Sequence, residues 1–323
     1  MKIRHSDLRR NDEIFYSTMK FGKLKDISPI NFKLPNDHEK TTNLLDRLLK
    51  DDELPQVYVG CTGWSMKEWI GRVYPNGTKA NKMLFHYAKQ FNTIELNTTH
   101  YRIPTLKTIE TWRQSVPKDF KFCPKIPQSI SHRNDLGMNG EAINQFCASV
   151  YELRDNLGCC FMQMPPYFDI RRLPMLERFL EKWPVEIPLA VEVRHESWFN
   201  NSDNFNQLFD LLERQNISTV ITDVAGRRDV LHQRLTTNTA MIRFVGNGLH
   251  QTDYERIDEW VERLKYWFSQ GLKTVYFFPH EPDNLLAPEM SEYLVKRLNE
   301  SFKSTVRGPK LIDDQIGQQI SLF

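Results

Sequence analysis

Apolar runs and amphipathic stretches alternate along most of the chain. The short runs include QVYVG from Gln56, NTIEL from Asn92, LAVEV from Leu189 and TVYFF from Thr274. Between such runs, stretches such as NFNQLFDLLERQN and DYERIDEWVERLKYWF repeat their apolar residues at three- and four-residue spacing, which is typical of amphipathic helices. Strands that alternate with helices in this way predict a parallel sheet with helical crossovers.

The number of these strand–helix units predicts the fold class. The unit repeats about eight times in roughly 250 residues, which is what a TIM barrel requires, whereas a doubly wound sheet usually has fewer strands. We therefore predict an α/β fold with a TIM (β/α)8-type barrel over residues 56–303. Residues 1–55 form an N-terminal extension with one helical candidate, TTNLLDRLLKDDEL, and we expect partial order there. Residues 304–323, which turn polar, are predicted to be a flexible C-terminal tail.

Composition adds little to the pattern. The 323 residues are 40% hydrophobic and 26% charged, with a formal net charge of +2, which neither requires nor excludes a nucleic acid partner. No apolar run approaches the roughly 20 residues that span a bilayer, and the N-terminus lacks the apolar core of a signal peptide. We expect a cytoplasmic protein with no membrane partner. Its cysteines form no CxxC pair and are expected to be reduced thiols: Cys61, Cys123, Cys147, Cys159 and Cys160.

Strand alternation turns a set of polar residues toward the predicted barrel interior. In LAVEVRHESW the two valines face the helices, so Glu192 and Arg194 point inward together. The same interpretation of TIELNTTHY turns Glu95 and Asn97 inward. TIM barrels place their active sites at the C-terminal ends of the strands, so we expect the late, inward residues to converge. The set is completed by Lys125, Gln163, Asp223 and Arg243.

The charges of this set suggest acid–base chemistry. Glu95, Lys125 and Glu192 are the predicted catalytic residues, with one carboxyl pKa raised by its neighbour so that the pair shares acid and base work. Arg194 and Arg243 would hold an anionic group of the substrate. The alternative is a neutralised ion-pair network with a purely structural role. A functional site is favoured because proteins rarely collect so many charges in one layer without use.

Each of the other candidate motifs allows two interpretations of its role. Because acids and bases balance, we predict no metal and no cofactor, although His280, Glu281 and Asp283 after the last strand could supply a metal site. Cys61 could be a nucleophile but is better interpreted as a small buried thiol. Three aromatic residues that follow strands could stack a sugar or a base, or simply pack: Trp64, Tyr101 and Trp198. Three arginines could form a phosphate-binding edge or a solvated loop: Arg227, Arg228 and Arg234.

Five ordered blocks carry a family resemblance: GCTGW, IELNTTHYRIP, FKFCPKIPQSISH, MQMPPYF and VEVRHESWF. They resemble the YecE-like family, domain-of-unknown-function family seventy-two, over roughly Val57 to Phe302. The resemblance implies a TIM barrel of unassigned activity, comparable with the metal-dependent barrels of the endonuclease IV and xylose isomerase group. It also implies recurrent polar residues at Glu95, Asn97, Tyr101, Lys125, His132, Gln163, Glu192, Arg194, His195, Trp198 and Arg243, and we assign the non-catalytic ones to substrate binding.

The chain departs from the family pattern at two places. Val245 replaces the His of an Arg-x-His-Gly block on the seventh strand, which puts a role for that imidazole in doubt. On the eighth strand, Phe278 is followed by Pro279 and His280 instead of by two Asn residues. The chain therefore resembles a subgroup of the family.

The last residues, GQQISLF, resemble a second known pattern. Gln319, Leu322 and Phe323 fit the bacterial sliding-clamp binding motif, with Ile320 in place of its first Leu. A Gln for hydrogen bonding and a Leu-Phe pair for an apolar pocket are how a short peptide docks in a preformed groove. The alternative is a hydrophobic latch that folds back on the chain itself or on a twin subunit.

Three functional hypotheses follow from these observations. The first is an enzyme, a hydrolase or lyase, that acts on nucleic acid or a phosphorylated sugar by carboxylate acid–base chemistry and is recruited to DNA by a sliding clamp. The second is a small-molecule lyase or hydrolase unconnected with DNA. The third is a non-catalytic binding barrel. A basic surface around the barrel mouth would favour the first over the second.

Overall fold

The structure is a computed structural model that describes residues 22–48, 50, 54–302 and 305–312. Eight strands lie within these residues, each four to seven residues long. Their bounds are β1 Gln56–Val59, β2 Thr93–Leu96, β3 Lys121–Pro124, β4 Cys160–Gln163, β5 Leu189–Glu192, β6 Ser218–Asp223, β7 Thr239–Val245 and β8 Thr274–His280.

Helices connect most of the strands and cover them from outside. Most strand residues are buried on both faces, as expected for parallel strands under helices. The described residues contain α1 Glu39–Arg47, α2 Met83–Gln90, α3 Thr98–Tyr101, α4 Leu106–Gln114, α5 Gln128–Ser131, α6 Ala142–Tyr151, α7 Leu173–Lys182, α8 Ser202–Arg214, α9 Gln251–Ser269 and α10 Ala287–Phe302. None of these helices has the length and apolarity needed to cross a membrane.

The strands form two parallel sheets rather than one closed ladder. One sheet has the order β1-β8-β7-β6-β5-β4, and the other pairs β2 with β3. At one junction between the sheets the Glu95 amide donates a hydrogen bond to the Cys61 carbonyl at 3.0 Å, and at the other the Ile126 amide donates to the Phe161 carbonyl at 2.9 Å. The α/β fold with parallel strands agrees with the sequence-based prediction, but the sheet is not closed.

A small apolar cluster covers the inner face of the strands, the face that points away from the larger cores under the helices. It consists of Cys123, Cys159, Phe161, Ala190, Val220, Met241, Tyr276 and Phe278, with Tyr58 packed against it. Residues two positions apart share a face of a strand. The next residues on this inner face, toward the C-terminal strand ends, are therefore Lys125, Gln163, Glu192, Thr222, Arg243 and His280. We call these six, together with Glu95, the polar layer.

The described part of the N-terminal extension packs against the connection between β6 and β7. This connection contains no α-helix, and α1 covers it. The Thr41 hydroxyl is buried, donates to the Gln233 carbonyl at 2.7 Å and accepts from the Leu235 amide at 2.9 Å. Leu44 and Leu45 are buried in the same core as Leu235. Helix α1 thus takes the place of the missing sixth crossover helix.

Two of the three arginines in this connection are structural. The fully buried Arg234 forms an ion pair with Glu213. Arg228 forms an ion pair with Asp223 and donates to the Phe32 carbonyl at 2.9 Å. Because their guanidinium groups are engaged within the protein, Arg228 and Arg234 fit neither a phosphate-binding edge nor a solvated loop.

Residues 305–312 of the predicted tail lie against the folded domain. Arg307 Nε donates to the Phe91 carbonyl at 3.0 Å. The Lys310 amide donates to Gln90 Oε1 at 3.0 Å, and the Ile312 amide donates to the Arg72 carbonyl at 2.9 Å. The residues of the clamp-like motif, Gln319, Leu322 and Phe323, lie outside the described residues.

All five cysteines are buried free thiols, as their spacing predicted. For Cys61 in particular, burial raises the pKa of the thiol, although Ser291 partly offsets this effect. A thiol that stays protonated at neutral pH is a poor nucleophile, which favours the packing role.

The packing of α1 makes a testable prediction. Leu45 is 1% exposed in the core that α1 shares with the β6–β7 connection. Leu45→Ala should lower the free energy of unfolding by about 2–5 kcal/mol, because it leaves a cavity in a packed core. The matched control is Asp46→Ala, a change at an exposed position of the same helix. Equal urea midpoints for the two variants would show that α1 does not pack as described.

Candidate functional site

Arg243 lies between two buried glutamates in the polar layer. Its Nε donates to Glu95 Oε2 at 2.9 Å and its Nη2 donates to Glu95 Oε1 at 3.0 Å, so the pair is bidentate. Its Nη1 donates to Glu192 Oε2 at 2.9 Å. Both glutamates are almost fully buried. One guanidinium therefore joins side chains from β2, β5 and β7.

The remaining lone pairs of the two carboxylates are also engaged. Glu95 accepts from Asn97 Nδ2 and lies 3.0 Å from His280 Nε2. Glu192 accepts from Arg194 Nε at 2.8 Å and from Gln163 Nε2 at 2.8 Å. Every carboxylate oxygen thus has at least one protein partner. These contacts hold both groups in fixed orientations.

The partners of the two carboxylates decide their charge. Burial by itself raises the pKa of each group, because it penalises the ionised form. For Glu192 the positive charges of Arg194 and Arg243 outweigh burial and lower the pKa to about 2. For Glu95 the charges of Arg243 and His280 hold the pKa well below its ordinary value. Both groups are ionised at neutral pH, so neither carries the raised pKa that the sequence-based hypothesis assigned to one of them.

Lys125 is a member of this layer with a pKa near neutral pH. Its Nζ donates to Gln163 Oε1 at 2.9 Å, and its side chain is partly exposed. Burial of most of the side chain lowers the pKa to about 7, and the positive charge of Arg243 acts in the same direction. A lysine with a pKa near the working pH can accept or release a proton.

A small cavity opens beside the polar layer, over its members Thr222, Arg243 and His280, whereas Lys125 is not part of the cavity wall. Its volume is about 210 Å³, and its wall includes Thr62, Asn97, Arg194, Thr222, Arg243 and His280. It is also lined by the exposed Lys23 from the N-terminal extension and, after β8, by the buried Glu281 and by Asp283 and Asn284. Asp283 and Asn284 both have positive φ, of 56° and 57°, and such backbone strain is concentrated at functional sites.

The structure brings together most of the predicted residues but turns two of them elsewhere. Asp223 was predicted to face inward, and this is wrong: its carboxylate pairs with Arg256 at 2.7 Å and accepts from Trp260 Nε1 at 2.9 Å, both on α9. Thr222 occupies the inward position on β6. Trp198 is fully buried, donates from Nε1 to the Phe168 carbonyl at 2.6 Å and stacks on the Phe168 ring. It is a packing residue rather than a wall of the cavity.

Three other predicted residues make contacts of a different kind. Tyr101 is 58% exposed and meets the His100 ring edge-on at 5.4 Å between centroids. His132 contacts the same ring at 5.2 Å, and burial together with the charges of Lys125 and Arg194 lowers its pKa. His195 Nδ1 accepts from the Ser197 amide at 3.1 Å, which caps a short turn. Their roles in substrate binding remain predictions.

Sequence reasoning missed His280 as a member of this site. The alternation of Tyr276, Phe278 and His280 along β8 carried the signal, since the first two face the inner cluster. From the sequence alone, His280 is considered only as a possible metal ligand. Within residues 22–48, 50, 54–302 and 305–312, no three or more His, Cys, Asp or Glu side chains group in a way that could hold a metal ion.

The central position of Arg243 leads to a second prediction, which concerns stability. Arg243→Met leaves two buried carboxylates without their shared cation, so the free energy of unfolding at pH 8 should fall by about 3–5 kcal/mol. In the native protein the stabilisation from Glu192 is present above its ordinary pKa and is lost as pH falls toward 2. In the variant the carboxylates can take up protons, so the loss should be smaller at pH 5 than at pH 8.

Urea unfolding at both pH values checks this. Arg214→Met is the matched control, because Arg214 pairs with Glu177 on the surface. A loss for Arg243→Met that is no larger than the control's, or that does not change with pH, would contradict the proposed electrostatics.

Comparison with known proteins identifies the family of the domain. The family model described as "Protein of unknown function DUF72" matches residues 58–313. The UPF0759 protein YecE of Escherichia coli K12 is 30% identical over 285 residues, which cover 83% of this chain and 100% of that protein. The UPF0759 protein YunF of Bacillus subtilis is 29% identical over 151 residues, covering 45% of this chain and 52% of YunF.

Solved structures of DUF72 family proteins have a similar fold. A DUF72 family protein from Thermotoga maritima superposes with a TM-score of 0.56 and 25% identity, over 77% of this chain and 100% of that one. A DUF72 family protein from Enterococcus faecalis has a TM-score of 0.61 at 19% identity, over 80% and 100% of the two chains, and supports the fold alone. On the family match and the full-length similarity to YecE, this chain belongs to the DUF72 family.

Proposed function

We propose that this chain is an enzyme that transfers a proton on a small anionic substrate, such as a phosphorylated sugar, with Lys125 as the acid–base group. The observation that carries the proposal is the position of Lys125. It is partly exposed at the C-terminal strand ends, and its pKa lies near 7. General acid–base catalysis is most efficient when the pKa of the group is close to the working pH.

We also propose that the eight strands form a TIM barrel. The order β1-β8-β7-β6-β5-β4 and the pair β2-β3, with hydrogen bonds at both junctions, support this arrangement. The polar layer would then lie where TIM-barrel enzymes place their active sites.

In this mechanism the two glutamates orient other groups. Glu192 fixes Gln163, whose Oε1 accepts from Lys125, and this contact holds Lys125 Nζ in place. Glu95 holds Arg243 and His280. The neutral amine of Lys125 would take a proton from the substrate, and its ammonium form would return one. Such a reaction belongs to a lyase, an isomerase or a hydrolase.

The cavity favours a small substrate over a nucleic acid strand. Its volume of about 210 Å³ lies below the roughly 300–1,000 Å³ of common ligand pockets. Arginines are well suited to phosphate groups, and Arg194 and Arg243 line the wall. A nucleic acid could enter only with a single extruded nucleotide. The size therefore favours a phosphorylated sugar, and a small-molecule reaction unconnected with DNA is the second candidate.

The alternative is a non-catalytic binding barrel. Variants of Lys125 distinguish it from an enzyme. Lys125→Ala should lower kcat/KM on the substrate found by screening phosphorylated sugars by about 10²–10⁴-fold, because it removes the proton-transfer group. The wild-type rate should also depend on a group that titrates near pH 7. Lys118→Ala, a change at an exposed lysine before β3, is the control. Unchanged turnover and an unchanged pH profile in Lys125→Ala would remove the catalytic role.

We further propose, independently of the chemistry, that the C-terminal motif recruits the protein to a bacterial sliding clamp and so to DNA. The proposal rests on the sequence of the last residues. A peptide that ends in QQISLF should bind a purified bacterial clamp with micromolar affinity, about −8 kcal/mol. Replacing Leu322 and Phe323 by Ala should abolish binding without lowering the melting temperature of the full chain.

The opposite pattern would identify a different role for the tail. If the double variant melts markedly earlier and the wild-type peptide does not bind the clamp, the motif is a structural latch. The proposal of DNA recruitment would then lose its support.

A further inference from the structure

We infer that the N-terminal extension completes the active site, with Lys23 as a specificity residue that binds the anionic group of the substrate. The inference rests on the proposed function for the class of substrate. Lys23 lines the cavity beside the polar layer together with Arg194 and Arg243. The family match begins at residue 58, so Lys23 is an addition to the domain that this chain shares with its family.

The extension reaches the cavity because two glycines let its backbone approach the end of β6. The Gly226 amide donates to the Gly22 carbonyl at 2.7 Å. A Cβ on Gly226 would lie 2.8 Å from that carbonyl oxygen, and a Cβ on Gly22 would lie 2.7 Å from Val224. Gly22 also has a φ of +70°, which glycine adopts without strain. This contact fixes the residue directly before Lys23.

A second set of contacts holds the extension beyond Lys23. The Phe32 ring lies 5.0 Å from the guanidinium of Arg256, and the Phe32 carbonyl accepts from Arg228 Nη2 at 2.9 Å. The Leu34 amide donates to Glu259 Oε2 at 2.8 Å. Residues on both sides of Lys23 are therefore attached to the β6–β7 region and α9.

The segment from Gly22 to Ile27 also encloses a neighbouring cavity. This cavity of about 290 Å³ lies against Val224, the end of β7 and His250. Lys23 and Val245 line both this cavity and the one beside the polar layer. Lys23 thus lies at the boundary between them, at the mouth of the site.

The charges of the site leave Lys23 available for a ligand. Arg243 is paired with both buried glutamates, and Arg194 is paired with Glu192. Lys23 is exposed and has no hydrogen bond or ion pair within the part of the chain that the structure describes. Two acids also line the cavity, the exposed Asp283 and the buried Glu281, whose Oε2 accepts from the Gly248 amide at 2.8 Å. A phosphate monoester that contacts the arginines would gain a further charge-assisted hydrogen bond from Lys23.

Isothermal titration calorimetry on the full chain tests the inference, with D-ribose 5-phosphate as probe and D-ribose as its uncharged counterpart. We expect the phosphate to bind and the free sugar to bind more weakly. Lys23→Ala should weaken phosphate binding by about tenfold, the loss of one charge-assisted hydrogen bond. Lys33→Ala removes an equal charge from the same extension, at an exposed side chain away from both cavities, and should bind like the wild type.

A second variant moves Lys23 without removing it. Gly226→Ala should push Gly22 away from β6 and weaken binding in the same direction, provided that its melting curve shows a folded protein. Lys23→Ala that binds like Lys33→Ala would overturn the inference.

Failure of the inference can be told apart from failure of the proposed function. If Arg194→Ala weakens phosphate binding and Lys23→Ala does not, the anion site stands and the extension plays no part in it. If the wild type does not prefer the phosphate over D-ribose, both the anionic substrate and the role of Lys23 are overturned.

Discussion

The bidentate contact between Arg243 and Glu95, extended by a third hydrogen bond to Glu192, is the interaction on which the rest of the site depends. It joins three strands across the inner face. Two buried carboxylates so close together would otherwise repel each other, and the desolvation cost would protonate at least one of them. With Arg243 between them, both remain ionised. They then fix Asn97, Gln163, Arg194 and His280 by further hydrogen bonds.

The same arrangement explains why Lys125 differs from an ordinary lysine. Burial and the positive charge of Arg243 lower its pKa, and Glu95 and Glu192 counter this only in part because their charges are already paired. A structural ion-pair network would be complete without Lys125. Its pKa near 7 and its partly exposed side chain favour a functional interpretation of the layer. In the proposed mechanism, the role of the two carboxylates is to position the lysine and the arginines.

Members of the polar layer could be predicted on strands in which polar and apolar residues alternate clearly. In LAVEVRHESW, charged residues interrupt an apolar run, so Glu192 and Arg194 could be assigned to one face. In STVITDV, both faces carry apolar or hydroxyl residues because the strand is buried on both sides. The sequence of β6 therefore does not show which of its residues face inward. The prediction places Asp223 inward, although its side chain contacts α9. Lys23 could not be predicted, since its place depends on long-range packing of the extension against β6.

The pKa of Lys125 can be measured directly. Lysines labelled by reductive ¹³C-methylation can be titrated by NMR, with Lys125→Arg to assign the resonance. We expect a midpoint near pH 7 for Lys125. In Glu192→Gln the midpoint should shift, because the charge of Glu192 acts on Lys125 directly and Glu192 also positions Gln163. A midpoint near the ordinary lysine value of about 10.4 would show that Lys125 is not an acid–base group at neutral pH.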